Sequence, residues 1–352
     1  MSAPRLRVAL VGLGWAGRRI WLPRLAAHDR YTVAAVVDSD PAARAAVSVP
    51  GVVAVASVDE LDPATVDLAV VAVPNHLHAP VATTLLAMGV PVFLEKPVCL
   101  SVAEADRLAA AERDGGAVLL AGSAARYRAD VRALLGLAAE LGPIRHVDLS
   151  WVRAHGVPGA GGWFVRRDQA GGGALLDLGW HLLDLLDPLL GPVVFDQAVG
   201  TVSADFVNDR SSRARWKDGG DGASAAANTE PAEGAPTGGA STGNALAGGD
   251  VEDTARGFLV TDRGVSVALR TSWASHEPRD VTSITVEGSA GTATLRCTFG
   301  FSTNRQEAST LVRAWRGGTK AVPVPGEPVG VEYARQLDEL PGLLADPARA
   351  GL

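Results

Sequence analysis

The chain has 352 residues, 47% hydrophobic and 20% charged, with a formal net charge of −7 and only two cysteines. That is enough chain for two domains with their own cores. The acidic balance and scattered basic residues argue against a nucleic-acid surface or an anionic membrane as partner, and no apolar run approaches the roughly 18 residues of a membrane helix.

Cys99 and Cys297 are too few for a disulfide framework, so a reducing cytoplasm is the default location. At the N-terminus Arg5 and Arg7 precede VALVGLGWAG, which could mimic a signal peptide. The run is broken by glycines and followed at once by Arg18 and Arg19, which suits a strand and a glycine-rich turn better. Over the first 120 residues strand and helix signals alternate. Continuous β-branched runs at 5–11, 31–38, 67–73, 91–95 and 117–122 read as strands covered on both faces. Helical stretches at about 15–28, 41–47, 79–88 and 101–114 lie between them, the last opening with Ser101 and Glu104 at capping-box spacing. Repeated βα units predict a doubly wound parallel sheet over residues 1–123.

GLGWAG follows the first strand and opens a helix. Its Gly12, Gly14 and Gly17 fall in the spacing G-x-G-x-x-G, with Leu13, Trp15 and Ala16 between them. Gly12 permits a tight turn, Gly14 lets the backbone approach a pyrophosphate, and Gly17 lets the helix pack closely on the strand. The helix N-terminus then offers free N–H groups to the phosphates. Asp38, at the end of the 31–38 strand, can accept both ribose hydroxyls and would repel a 2′-phosphate, so NAD is expected over NADP. A tight turn beside an exposed Asp is the plain alternative. PNHLH at 74–78 follows the 67–73 strand at its carboxyl end. His76 and His78, with no nearby Cys or acid cluster, make a poor metal site, and no metal is expected. Pro74 and Asn75 read as lining the cofactor channel, and His78 as capping the next helix and as a further candidate cofactor contact; solvated loop histidines are the alternative.

VFLEKP at 92–97 ends another strand at its carboxyl end, where open α/β sheets place their ligands. Pro97 ends the strand and pushes Lys96 toward an extended conformation at the crevice mouth. An ammonium there can hydrogen-bond a substrate hydroxyl and stabilise oxyanion charge during hydride transfer; a solvated strand-end lysine is the alternative. Glu95 either pairs locally or lines the cofactor pocket.

From about 124 the pattern changes. A helix near 128–141, a strand at 144–153, a glycine-rich turn and a helix at 172–187 precede period-2 strands at 192–201, 256–261, 264–273, 280–287 and 291–298. This predicts an α+β second domain over 124–352 with a large, mostly antiparallel sheet. Residues 217–250 are nearly all Gly, Ala, Ser, Thr, Pro and acids and read as a disordered insert between two strands. In GGGALLDLGWHLLDLL at 171–186 a helix would set Asp177, His181 and Asp184 at i, i+4 and i+7 on one face. Polar groups on an otherwise Leu-rich helix need partners. His181 is placed for acid–base work on a hydroxyl, and Asp177 could equally pair with Lys96 across the crevice. A buried Asp–His pair without catalysis, or a metal site, stay open as readings of this segment alone.

GLGWAG, Asp38, PNHLH, EKP at 95–97 and GGGALLDLGWH at 171–181 occur in the order of the Gfo/Idh/MocA oxidoreductases, which the chain resembles over nearly its whole length. RYRADV at 126–131, LGPIRHV at 141–147, GWF at 162–164 and VEDTA at 251–255 add to the likeness. The resemblance implies a Rossmann domain joined to an α/β domain whose open sheet mediates homodimer or homotetramer contacts. It implies hydride transfer between NAD(P) and a carbinol carbon of a sugar, cyclitol or nucleotide-activated sugar. Carried over by position, Lys96, Asp177 and His181 match the catalytic trio, with His181 as proton donor or acceptor and the other two polarising and positioning. Arg126, Arg153 and Trp163 then lie toward the substrate pocket. The rival readings are an enzyme that retains NAD for transient oxidation, such as a glycosidase or sugar–sugar oxidoreductase, and a non-catalytic dinucleotide sensor, against which the intact trio speaks. The insert at 217–250 departs from the family pattern. So does the end of the chain, which stops at Leu352 after a helix around 330–345, where members often continue with a helix packing back on the first domain.

Overall fold

The computed structural model describes residues 4–47, 49–159, 162–214 and 249–346. Six parallel strands form a first sheet: β1 (Leu6–Val11), β2 (Tyr31–Val37), β3 (Val53–Val55), β4 (Leu68–Val71), β5 (Val92–Leu94) and β6 (Leu119–Ala121), in the order β3-β2-β1-β4-β5-β6. Their apolar continuity has the expected cause. Val8 and Leu10 pack with Trp21 and Leu25 in one core layer, whereas Ala9 and Val11 pack with Leu85 and Leu86 in another. Each strand thus needs apolar side chains at odd and even positions alike. The helix Val102–Gly115 is capped as its spacing foretold, Ser101 Oγ accepting from the Glu104 N–H at 3.2 Å and Glu104 reaching back to the Leu100 N–H at 2.7 Å.

The second sheet has eight strands: β7 (Ile144–Val152), β8 (Phe195–Ser203), β9 (Thr254–Thr261), β10 (Ser266–Ser272), β11 (Val281–Gly288), β12 (Thr292–Cys297), β13 (Thr310–Trp315) and β14 (Gly318–Val322). They run in the order β14-β13-β12-β11-β7-β10-β9-β8 and pair antiparallel except for β7 with β10. One face is covered by Leu134, Leu178 and Leu182, which meet Leu149 and Ile284 of the sheet. Val199, Val202 and Phe258, on β8 and β9, stand exposed. Of the segment 217–250 only the last two residues are among those described. Cys99 and Cys297 are free thiols, and no helix among the described residues is long and apolar enough to cross a membrane.

The helix Val331–Ala345 packs back on the first sheet. Leu337 and Leu340 join the core layer of Leu10 and Trp21, and the buried Tyr31 hydroxyl donates to the Leu337 carbonyl at 2.5 Å. Gln336 Oε1 accepts from the Ser123 N–H at 2.9 Å, and Arg24 donates to the Gly330 carbonyl at 3.1 Å.

Candidate active site

The turns after β1, β4 and β5 all leave the carboxyl edge of the first sheet, beside the point where strand order reverses between β1 and β4. Gly12 sits at φ +94°, and a Cβ there would lie 2.6 Å from the Ala72 carbonyl oxygen. At Gly17 a Cβ would lie 2.0 Å from the Gly12 carbonyl oxygen, so the helix start and the strand end are in backbone contact. Gly14 is different: a Cβ there meets nothing within 4 Å, so its backbone borders open space. The Asp38 carboxylate accepts the Leu13 N–H at 2.7 Å and the Asp40 N–H at 2.9 Å, which ties the acid to the glycine turn. An open backbone approach next to a strand-end carboxylate fits a dinucleotide, with the pyrophosphate at the turn. Trp15 in the same turn meets Phe301 edge-on at 5.4 Å. Gly14→Ala should leave folding stability within about 0.5 kcal/mol of the parent and weaken dinucleotide binding about tenfold or more. A thermal melt and an NADH fluorescence titration check this, and unchanged NADH affinity would remove the phosphates from this turn.

The PNHLH turn braces the chain. His78 is 1% exposed; its Nδ1 is 2.6 Å from the Pro97 carbonyl oxygen and its Nε2 2.9 Å from that of Val73. That corrects two readings, the helix cap and the cofactor contact, because both ring nitrogens are committed to the backbone. Burial lowers the ring's pKa against the pull of the two carbonyls. Asn75 is also buried and donates to the Ala170 carbonyl at 2.9 Å, joining this turn to the second half of the chain. Pro74 keeps partial exposure at the turn. Among the described residues no three His, Cys, Asp or Glu side chains come together as metal ligands would.

Lys96 follows β5 directly, and the Lys96–Pro97 peptide is cis. Its Nζ donates to Asp177 Oδ1 at 2.7 Å, forming an ion pair whose side chains are 18% and 12% exposed. The other oxygen, Oδ2, accepts the Trp273 indole N–H at 3.0 Å. Lys96 Nζ also lies 5.9 Å from the centre of the Phe164 ring. Glu95 pairs locally behind this group, Oε1 accepting from Trp21 Nε1 at 2.9 Å and Oε2 from the Lys96 N–H at 3.1 Å. Burial raises its pKa, against the opposing effect of Lys96.

The 172–187 helix is broken. A π turn, Leu175–Gly179, runs into the short helix Trp180–Leu183. The wider turn rotates the residues after it, so Asp184 leaves the face of Asp177. Instead it receives a two-pronged contact from Arg126 Nε and Nη2, each at 2.7 Å, and a hydrogen bond from the Ser123 hydroxyl. Arg126 Nη1 reaches Asp187 at 3.1 Å, so that guanidinium holds the helix rather than facing open space. His181 tilts against Trp151 at 5.7 Å and makes no hydrogen bond among the described residues. Arg153 lies over the same Trp151 ring at 5.1 Å and forms no ion pair among the described residues. Trp163 contacts Phe164, with ring centres 4.6 Å apart.

These groups set one another's charge. Burial opposes ionisation of Asp177, but Lys96, then Arg153, and the hydrogen bonds from Lys96 and Trp273 outweigh it and hold the carboxyl well below the usual carboxylate range. For His181 burial comes first, and Lys96 and Arg153 add to it against the pull of Asp177, lowering the ring to about 3. Near neutral pH the site therefore presents an ammonium held on a carboxylate and a neutral, untethered imidazole. Such a group can hydrogen-bond an alcohol oxygen and take or return its proton. Trp273 and Phe164 are the members that sequence reasoning missed. GWF drew attention to Phe164 only through its neighbour, and nothing near Trp273 marks it.

Residues 6–123 match the GFO/IDH/MocA family model, described as an oxidoreductase family with an NAD-binding Rossmann fold, and residues 131–294 match the GFO/IDH/MocA C-terminal domain. The chain is 57% identical over 347 residues to a protein of Amycolatopsis mediterranei (strain S699) provisionally named the UDP-kanosamine synthase oxidoreductase subunit; the match covers 98% of this chain and 90% of that one. Among solved structures it is similar to GenD2 from gentamicin A biosynthesis, in complex with NAD. Identity there is 26%, coverage 99% of this chain and 88% of that one, and the TM-score 0.69. It shares its fold with KijD10, a 3-ketoreductase from Actinomadura kijaniata in complex with NADP and TDP-benzene, at 19% identity, 97% and 90% coverage and a TM-score of 0.68.

Proposed function

The chain belongs to the GFO/IDH/MocA family of oxidoreductases, and on that footing we propose that it interconverts a carbinol and a keto carbon of a nucleotide-activated hexose, using NAD. Membership makes it an NAD(P)-dependent enzyme acting on CH–OH groups; the choice of NAD and of the sugar class is the proposal. The observation that carries it is the Lys96–Asp177 pair, 2.7 Å apart at the crevice edge beside an imidazole that makes no hydrogen bond among the described residues. When bound, the nicotinamide accepts or supplies the hydride. The chain's own part is proton handling and charge. His181 takes the hydroxyl proton during oxidation and returns it during reduction. Lys96 donates to the reacting oxygen and stabilises its developing negative charge, and Asp177 keeps the lysine aimed.

Three features support the finer reading. Asp38 at the glycine turn favours ribose hydroxyls over a 2′-phosphate. Arg153, stacked on Trp151 and in no direct ion pair among the described residues, suits an anionic substrate. The relative at 57% identity carries a UDP-sugar in its name, and an amino sugar is reached from a hydroxyl sugar through a ketone. On this reading residues 1–123 hold the dinucleotide and 124–352 the sugar. The enzyme works in the cytoplasm, and the exposed face of the second sheet pairs copies of the chain.

The test is a panel of UDP- and dTDP-hexoses, free hexoses and inositol, run with NAD and NADP in both directions and followed by absorbance of the reduced nicotinamide. A UDP-hexose with NAD is expected to lead. A clear NADP preference would overturn the role of Asp38, and faster turnover of free sugars or inositol would overturn the substrate class.

A further inference from the structure

We propose that Trp273 is a positioning residue of the active site: its indole N–H occupies one oxygen of Asp177, so that the carboxylate serves Lys96 and is withheld from His181. The inference rests on the reading of Lys96, Asp177 and His181 as the working trio. Asp177 has two oxygens and two donors, Lys96 Nζ on Oδ1 at 2.7 Å and Trp273 Nε1 on Oδ2 at 3.0 Å. His181 lies one helical turn further on and acts on Asp177 only through space, with no hydrogen bond between them. An Asp one turn from a His would be the ordinary tether for an imidazole; here the indole takes the place of that tether.

Trp273 is fixed for this task. It is 0% exposed, and its backbone N–H donates to the Asp253 carbonyl at 2.8 Å. Asp253 is itself 0% exposed, and its carboxylate accepts the Val207 N–H at 2.8 Å. The preceding residue, Glu252, accepts the Gly173 N–H at 2.8 Å and the Leu175 N–H at 3.1 Å, at the start of the turn that carries Asp177. Two adjacent acids therefore clamp both the turn bearing the carboxylate and the backbone bearing the indole. This gives VEDTA a structural purpose: it holds the turn bearing Asp177 and the backbone of Trp273, while full burial of the indole keeps its N–H on Oδ2.

The charged and titratable groups around Asp177 include Lys96, Arg153, His181 and Tyr333, with Glu95 behind Lys96. If the indole N–H is removed, Oδ2 becomes a buried acceptor without a donor, which is costly. The imidazole of His181, one turn away on the same segment, has no competing hydrogen bond among the described residues. The carboxylate would then be shared between Lys96 and His181. The imidazole would become more basic and tethered, and Lys96 less firmly held.

Two replacements test this: Trp273→Phe, and Trp273→β-(3-benzothienyl)alanine, which keeps the indole shape with sulfur in place of N–H. The first readout is the titration of His181 by ¹⁵N NMR, its resonance assigned by its absence in His181→Ala. This needs no substrate, so it stands even if the sugar class is wrong. The midpoint is expected to rise by about one pH unit or more in both variants. The second readout is turnover on whichever substrate the panel identifies, where kcat should fall about tenfold with little change in KM. If Trp273→Phe does not fold, the benzothienyl variant decides. A His181 midpoint and kcat equal to the parent's in that variant would overturn the proposal. So would a loss of kcat with the midpoint unmoved, because a merely structural tryptophan would give that result.

Discussion

Lys96→Ala should lower turnover about a hundred- to a thousandfold while leaving dinucleotide affinity nearly unchanged. The magnitude is that of removing one pre-aimed donor from a developing oxyanion. The separation of effects comes from placement: the glycine turn and Asp38 are tied to each other through the Leu13 N–H, and Lys96 takes no part in that contact. Lys96 also supplies the counter-charge for Asp177 in a pair that is mostly shielded from water. Its removal leaves the carboxylate with the Trp273 N–H as its one remaining side-chain donor among the described residues. Breaking a fully buried pair from one side costs about 3–5 kcal/mol, and partial exposure here brings the expected loss below that range. A melt of Lys96→Ala beside Lys96→Ala/Asp177→Asn separates the two losses. The double variant should regain stability because no unpaired charge remains, and it should regain no turnover. Near-normal turnover of Lys96→Ala on the true substrate would remove the lysine from the chemistry.

His181→Ala should be at least as severe, losing about a hundred- to ten-thousandfold in kcat, again with dinucleotide affinity nearly intact. It should leave a second mark on stability. An unfolded imidazole takes its proton near pH 6.5, whereas the folded ring resists until about 3. Between those values the unfolded chain holds the extra proton, so this group's contribution is complete above about 6.5 and shrinks as pH falls below it. Urea unfolding of the parent from pH 8 to 5 should show that decline, and His181→Ala should show a shallower one. For turnover, the depressed pKa means that no loss of activity near pH 6.5 should trace to protonation of this ring in the free enzyme. Normal turnover in His181→Ala would place the proton elsewhere.

Much of the molecule is legible in its residues alone. The continuous apolar runs of β1, β2, β4, β5 and β6 declare strands covered on both faces, and Ser101 with Glu104 declares a helix start. What escaped has physical reasons. β3 is an edge strand with Val53 and Ala54 exposed, unlike the fully buried β5, and β13 and β14 mix Arg, Lys and Trp with few repeating apolar positions. The π turn at Leu175–Gly179 left no trace in a run of leucines, yet it sends Asp184 to Arg126 rather than to the crevice. Lys96, Asp177 and His181 stood out because polar groups interrupt apolar surface. Trp273 did not, since an aromatic after a strand looks like core, and its partner Asp177 is 96 positions away. His78 misled for the opposite reason: a histidine in a turn suggests a ligand contact, and only burial shows it to be a clasp between two backbone carbonyls.

The helix Val331–Ala345 has a consequence for how the molecule is made. Leu337 and Leu340 complete the same core layer as Leu10, Trp21 and Tyr31, and the Tyr31 hydroxyl finds its acceptor 306 positions along the chain. On the ribosome the parallel sheet emerges early, with one apolar face covered in part by Ile20, Trp21 and Leu25, and that layer is completed only when the helix Val331–Ala345 emerges after the antiparallel sheet. The first sheet thus waits, partly bare, for two leucines some three hundred positions further along. During that interval the nascent chain presents Trp21 and Tyr31 to whatever else is in solution, which makes chaperone contact and translation speed matters of yield for this protein.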